Sequence, residues 1–183
     1  MKKTLLVLLT ALFVFTGCKT TVKGRNGVEY SSALQYNDYI VNKQSDIAKQ
    51  MIQLVTETQT DLAKAEQTRT LMVTRIAQTI RDIERMPDWK GNTILRDKAL
   101  SIFGFYRGLF ADDYKRVIDM QKDGDVSPEE EAEYNKIMKN VESREDVLDR
   151  DFKTAQMDFA SKNGFQVATN KLQGKVDEMK KGQ

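Results

Sequence analysis

Between Asp119 and Glu130 the chain carries oxygen-bearing side chains at the spacing that a hard cation needs. Asp119, Gln121, Asp123, Asp125, Ser127 and Glu130 fall at positions 1, 3, 5, 7, 9 and 12 of a twelve-residue stretch. Gly124 sits at the sharp turn of position 6 and Val126 at the apolar position 8. This is a ligand set suited to calcium, which takes roughly six to eight oxygens. Two features depart from that pattern. Gln121 stands where a carboxylate or Asn is usual, and Lys115 and Glu131 replace flanking apolar residues. No second stretch exists to pair with it. The same residues also make, without metal, an Asp-Gly turn and a Ser127–Glu130 capping box at a helix start. Both readings stand at this point.

The remaining chemistry is narrow. The chain has no histidine and one cysteine, Cys18. Histidine-based triads, Glu-x-x-His di-iron sites and histidine-ligated haem are therefore excluded. No Gly-rich phosphate loop and no Gly-x-Ser-x-Gly elbow occurs. A catalytic site is not expected. Nor is a nucleic-acid partner: 29 Lys and Arg stand against 27 Asp and Glu, and removal of Lys2 and Lys3 with a leader leaves 27 against 27. A neutral, mixed-charge domain lacks the clustered basic face that such binding requires.

Cys18 closes a leader-like stretch, MKKTLLVLLTALFVFTGC. Lys2 and Lys3 form a positive head, Leu5 to Phe15 an apolar segment, and Thr16-Gly17 the small residues before a cut. The apolar run is shorter than the roughly 20 residues that span a bilayer. Phe15-Thr16-Gly17-Cys18 resembles the lipobox of bacterial lipoproteins. That resemblance implies an acylated (palmitate-bearing) Cys18 as the new N-terminus, and the membrane as a partner through it. Lys19, standing where aspartate signals inner-membrane retention, implies the outer membrane, with the domain facing the periplasm or the cell surface. Tyr36 to Gln44 and Leu95 to Ala99 with Phe105-Tyr106 are faintly similar to surface lipoproteins of unassigned role. That likeness implies no active site.

Behind Cys18, residues 18–32 read as a lipidated, polar tether with Gly24 and Gly27. A flexible coil of about 13 residues would hold a domain roughly 20 Å from its anchor. Lys19, Lys23 and Arg25 either graze anionic head groups or only keep the linker soluble, and the second is the plainer reading.

From Ala33 to residue 165 apolar residues recur at helical spacing. Tyr36, Ile40, Ile47, Met51 and Leu54 line a first helix, and Leu62, Ala65, Met72, Ile76, Ile80 and Ile83 continue the stripe beyond a polar gap at 56–61. One continuous helix over 33–86 would be about 80 Å long. Two helices joined near 57–60 leave no unpacked turn, and this hairpin is the expectation. After the loop around Pro87, a third helix is expected over Thr93–Lys122. Its Gly104 and Gly108 share a face, each at a cost of about 1 kcal/mol relative to alanine. Close approach of a neighbouring helix is the expected compensation. A groove for an apolar ligand among Phe103, Gly104, Phe105, Tyr106 and Gly108 is the alternative. A fourth helix starts at Ser127-Pro128 and stops at Asn163-Gly164, with Phe165 beyond it. Residues 166–183 read as a tail or short helix.

The pattern predicts an all-α, antiparallel up-down-up-down four-helix bundle of a monomeric domain, behind its N-terminal lipid tether. Its expected role is a binding or structural module with an envelope protein as partner. An interaction strip would be exposed outside the seam, at Phe105 and Trp89.

Overall fold

The computed structural model describes residues 21–122, 124 and 126–167. The chain is an antiparallel four-helix bundle preceded by a small hairpin. Strands β1 (Val22–Lys23) and β2 (Glu29–Tyr30) pair antiparallel, Val22 with Tyr30 and Lys23 with Glu29. Helices α1 (Ala33–Thr58) and α2 (Leu62–Glu84) follow. The third rod is α3 (Ile94–Gly108), one π-helical turn (Leu109–Asp113) and α4 (Tyr114–Lys122). The fourth is α5 (Pro128–Lys162).

The expected break between α1 and α2 is present. Asp61 caps α2, its carboxylate accepting the Lys64 N–H at 3.0 Å. The α5 boundaries also agree with the sequence. Ser127 and Glu130 form the reciprocal capping box, and at the other end Phe165 N–H reaches Ala160 O while Gly164 takes φ +71°. The Phe165 ring then lies 6.1 Å from that of Phe159. This is the left-handed stop that an Asn-Gly-Phe ending encodes.

One expectation needs correction. Residues 21–32 are not a free tether. Asn26 organises a tight turn: its Oδ1 accepts Val28 N–H at 3.1 Å, and its amide reaches Tyr30 Oη at 2.8 Å and Asp82 O at 3.2 Å. Arg25 N–H donates to Arg85 O at 2.8 Å. Val22, Val28 and Tyr30 face the bundle, where Tyr30 is 1% exposed. The bundle domain therefore begins at the hairpin. The third rod runs from Ile94 to Lys122, as the sequence predicts, with the π turn inside it.

The hairpin packs on one end of the bundle. That end gathers Tyr30, Tyr36, Trp89 and Phe159 with ring centroids 5.3–6.5 Å apart. Trp89 donates its indole N–H to Asn163 Oδ1 at 2.9 Å, and Tyr36 its hydroxyl to Pro87 O at 3.0 Å. Loop 85–93, α1 and the end of α5 are thereby locked together. Asn37 and Gln156, bonded at 2.8 Å, add a buried polar clasp between α1 and α5.

Candidate binding groove

Gly104 and Gly108 do not meet another backbone. A Cβ placed on either would have nothing within 4 Å. The close-approach expectation fails because α2 and α5 both pack against this rod without bringing any atom to within 4 Å of such a Cβ. In front of the two glycines lies an open groove of about 370 Å³. Gly104, Phe105, Gly108, Leu109, Ser101 and Leu148 line it. Asp112, Asp113 and Arg144 complete the lining.

Of the five residues expected to line an apolar groove, three do so. Phe103 is fully buried in the core instead. Tyr106 points into the bundle, where its hydroxyl donates to the buried Glu145 Oε1 at 3.0 Å. Burial first, and then the charges of Glu145 and Asp149, push the Tyr106 phenol well above its ordinary value. It is a neutral donor. Phe105 and Trp89 are both buried, so the expected exposed strip at these residues is absent.

The groove is more polar than expected. The Arg144 guanidinium lies 5.1 Å from the centroid of the Phe105 ring, a cation–π distance that covers part of the apolar lining. Burial, and next the charge of Asp112, raise the Asp113 carboxyl above its ordinary range, with Arg144 opposing. Ser101 donates its hydroxyl to Asp97 O at 3.0 Å, a bond within the helix rather than to a base.

The π turn places the two acids. It inserts one extra residue per turn, so Tyr114 N–H donates to Leu109 O and the following side chains shift in phase. Arg69 of α2 holds this turn. It is buried, and its Nη1 donates to Phe110 O at 2.7 Å while Glu66 accepts from Nε and Nη2. The sequence signal for Arg69 was its position on the apolar stripe between Ala65 and Met72. A cation on that face needs a buried acceptor.

The candidate calcium residues are placed differently. Helix α4 runs to Lys122, so Asp119 and Gln121 are helical rather than in a loop. Asp119 is held between Lys115 and Lys122, which bring its carboxyl down to about 2. Glu130 Oε2 accepts from Ser127 N and Oγ at 3.1 and 3.0 Å. Asp123 and Asp125 lie outside the described residues. Among the described residues no three carboxylates or thiols come together to hold a metal ion. Cys18 and the tail 168–183 also lie outside them. No helix among them is long and apolar enough to cross a membrane.

Comparison of the chain with protein-family models, curated proteins and solved structures gave no match.

Proposed function

We propose that this chain is a lipid-anchored, non-catalytic binding module of the bacterial envelope, tethered to the outer membrane through Cys18. The groove over Gly104 and Gly108 is its binding site. The observation that carries this reading is the open space above the two glycines, where two unfavourable helix residues have no packing reason to persist. The fitting occupant is a segment of a partner protein. It would set an apolar side chain in the space over Gly104 and Gly108, bordered by Phe105, Leu109 and Leu148, and a basic side chain against Asp112 and Asp113. The partly buried Asp113 carboxylate, with Asp112 beside it, favours such a cation.

Two experiments test the two parts. Cys18→Ala should abolish fatty-acid incorporation and release the chain from the membrane fraction. Retention in membranes by an unacylated wild-type chain would sink the anchor. Crosslinked capture from envelope extracts should yield a partner that Gly104→Leu/Gly108→Leu and Asp113→Lys both lose while the helical content stays. Equal capture by all three proteins would place the partner elsewhere.

A further inference from the structure

We propose that Asn26-Gly27 and Asn163-Gly164 are two self-modification sites, held silent by the closed bundle and released when its hairpin end opens. The modification is deamidation, and the co-reactant is water. Neither site depends on the membrane anchor or on the groove over Gly104 and Gly108. Of the asparagines in the chain, these two alone precede glycine. Glycine is the follower that lets the reaction run, because without a Cβ its main-chain nitrogen can close on the asparagine side chain. That nitrogen, its proton taken by hydroxide, bonds to Cγ. The Cγ–Nδ2 bond breaks, and Nδ2 takes a proton from water and leaves as ammonia. Water then opens the cyclic imide at either carbonyl. The product is aspartate, or its isomer with one extra methylene in the main chain, and nothing is oxidised or reduced.

The fold withholds both reacting groups. Asn26 Oδ1 accepts Val28 N–H at 3.1 Å, and Nδ2, the leaving group, donates to Tyr30 Oη at 2.8 Å and Asp82 O at 3.2 Å. The attacking nitrogen is also engaged, since Gly27 N–H donates to Gly24 O at 3.1 Å. At the second site Asn163 Oδ1 accepts the Trp89 indole N–H at 2.9 Å, and Nδ2 donates to Phe159 O at 2.8 Å. Gly164 N–H reaches Ser161 O at 3.4 Å. Closing the imide ring pulls each side-chain amide out of these bonds. Both glycines are exposed, at φ +82° and +71°, so base reaches them once the side chains are free. The two sites share one lock, because Tyr30 and Trp89 both pack on the Tyr36 ring, at 5.3 and 5.6 Å. The change does not reverse. Where Nδ2 met Asp82 O and Phe159 O, a carboxylate oxygen would face a carbonyl with no proton between them. The isomer's extra methylene has no room in a turn where a Cβ on Gly24 would already lie 2.3 Å from Asn26 Oδ1. A transient opening of this end thus becomes a permanent mark on the chain.

The test is peptide mapping of the full chain by mass spectrometry after incubation in mildly alkaline buffer, with and without urea. Both sites should convert about tenfold or more slowly in the folded chain, because conversion follows the population of the opened end. Asn42 and Asn135, exposed on α1 and α5 but followed by lysine, should stay unconverted over the same time in both. Equal rates at Asn26 and Asn163 with and without urea overturn the proposal. Two variants, checked for helical content, locate the lock. Tyr30→Phe removes one acceptor of the leaving amide and should speed Asn26 more than Asn163, and Trp89→Phe should do the reverse. Folded variants that leave both rates unchanged would take the lock away from these bonds. Chains converted in urea should refold to a lower thermal midpoint than chains passed through urea briefly. An unchanged midpoint overturns the claim that the opening becomes permanent.

Discussion

Arg69 Nη1 donates across 2.7 Å to the main-chain carbonyl of Phe110, so a buried cation on α2 supports the π turn of the neighbouring rod. The same guanidinium reaches Ala111 O at 3.4 Å and Glu66 at 2.7 Å. A π turn costs regular helix bonding, and it persists where something outside the helix satisfies it. Here that support also sets Asp112 and Asp113 at the groove. Arg69→Met would keep the apolar stem and leave the buried Phe110 carbonyl, and the half-buried one of Ala111, without this donor. We expect a loss of about 2 kcal/mol in urea unfolding followed by circular dichroism. A change below about 0.5 kcal/mol, the range of plain surface sites, would detach the π turn from Arg69.

Gly104 gives a prediction of opposite sign. With nothing in the way of a Cβ, Gly104→Ala relieves the helix of its most flexible residue and should raise stability by up to about 1 kcal/mol. Gly24→Ala is the contrast. Its Cβ would fall 2.3 Å from Asn26 Oδ1 and 3.2 Å from Arg85 O, within the turn that fixes the hairpin. We expect it to cost about 1–2 kcal/mol, the usual size of overpacking a tight site. Thermal unfolding of the two variants side by side checks both signs.

The four rods were legible from apolar periodicity, and their ends from Asp61, Ser127-Pro128 and Asn163-Gly164, because those signals act within a few residues. The hairpin was missed, and its segment read as a tether. Asn26-Gly27 between Val22 and Val28-x-Tyr30 is a strong short-range turn signal, and the polar composition of the segment masked it. The π turn was not legible, since its support comes from Arg69, 41 residues away from Phe110. The groove was half legible. Glycines announce themselves at Gly104 and Gly108, but whether a backbone or open space faces them depends on how α2 and α5 pack. In sequence Arg144 and Glu145 are two charged residues between the apolar Val141 and Leu148. In the fold they divide: Arg144 stacks on Phe105 at the groove, and Glu145 turns inward to Tyr106.

The Asn37–Gln156 clasp should behave as a coupled pair. Both side chains are buried, and the 2.8 Å bond joins α1 to α5. Gln156→Leu alone leaves Asn37 Oδ1 without the Gln156 amide and should cost about 1–3 kcal/mol. Asn37→Leu/Gln156→Leu removes donor and acceptor together, and much of the loss should return. A double-mutant cycle in chemical denaturation measures the coupling, and strictly additive losses would show that the two residues act separately.

The last expectation concerns alkali. Burial pushes the Tyr30 phenol up to about 12, with Asn26 opposing, and Tyr114 likewise up to about 12. Tyr36 is raised further and Tyr106 well above its ordinary value, again by burial first. A phenol whose folded value lies above its unfolded one binds its proton more tightly in the fold. Its contribution is therefore complete below the ordinary value near pH 10 and is lost as pH rises through the folded value. Stability should be flat through neutral pH and fall between about pH 10 and 12, with tyrosinate absorbance and loss of helix appearing together. Tyr30→Phe separates the effects. It forfeits the 2.8 Å bond from Asn26, costing about 1 kcal/mol at neutral pH, yet it removes one titrating group and should make the alkaline fall less steep. Tyrosinate forming well before the helix is lost, in the wild type, would mean that the phenols ionise within an intact bundle and that burial does not set this limit.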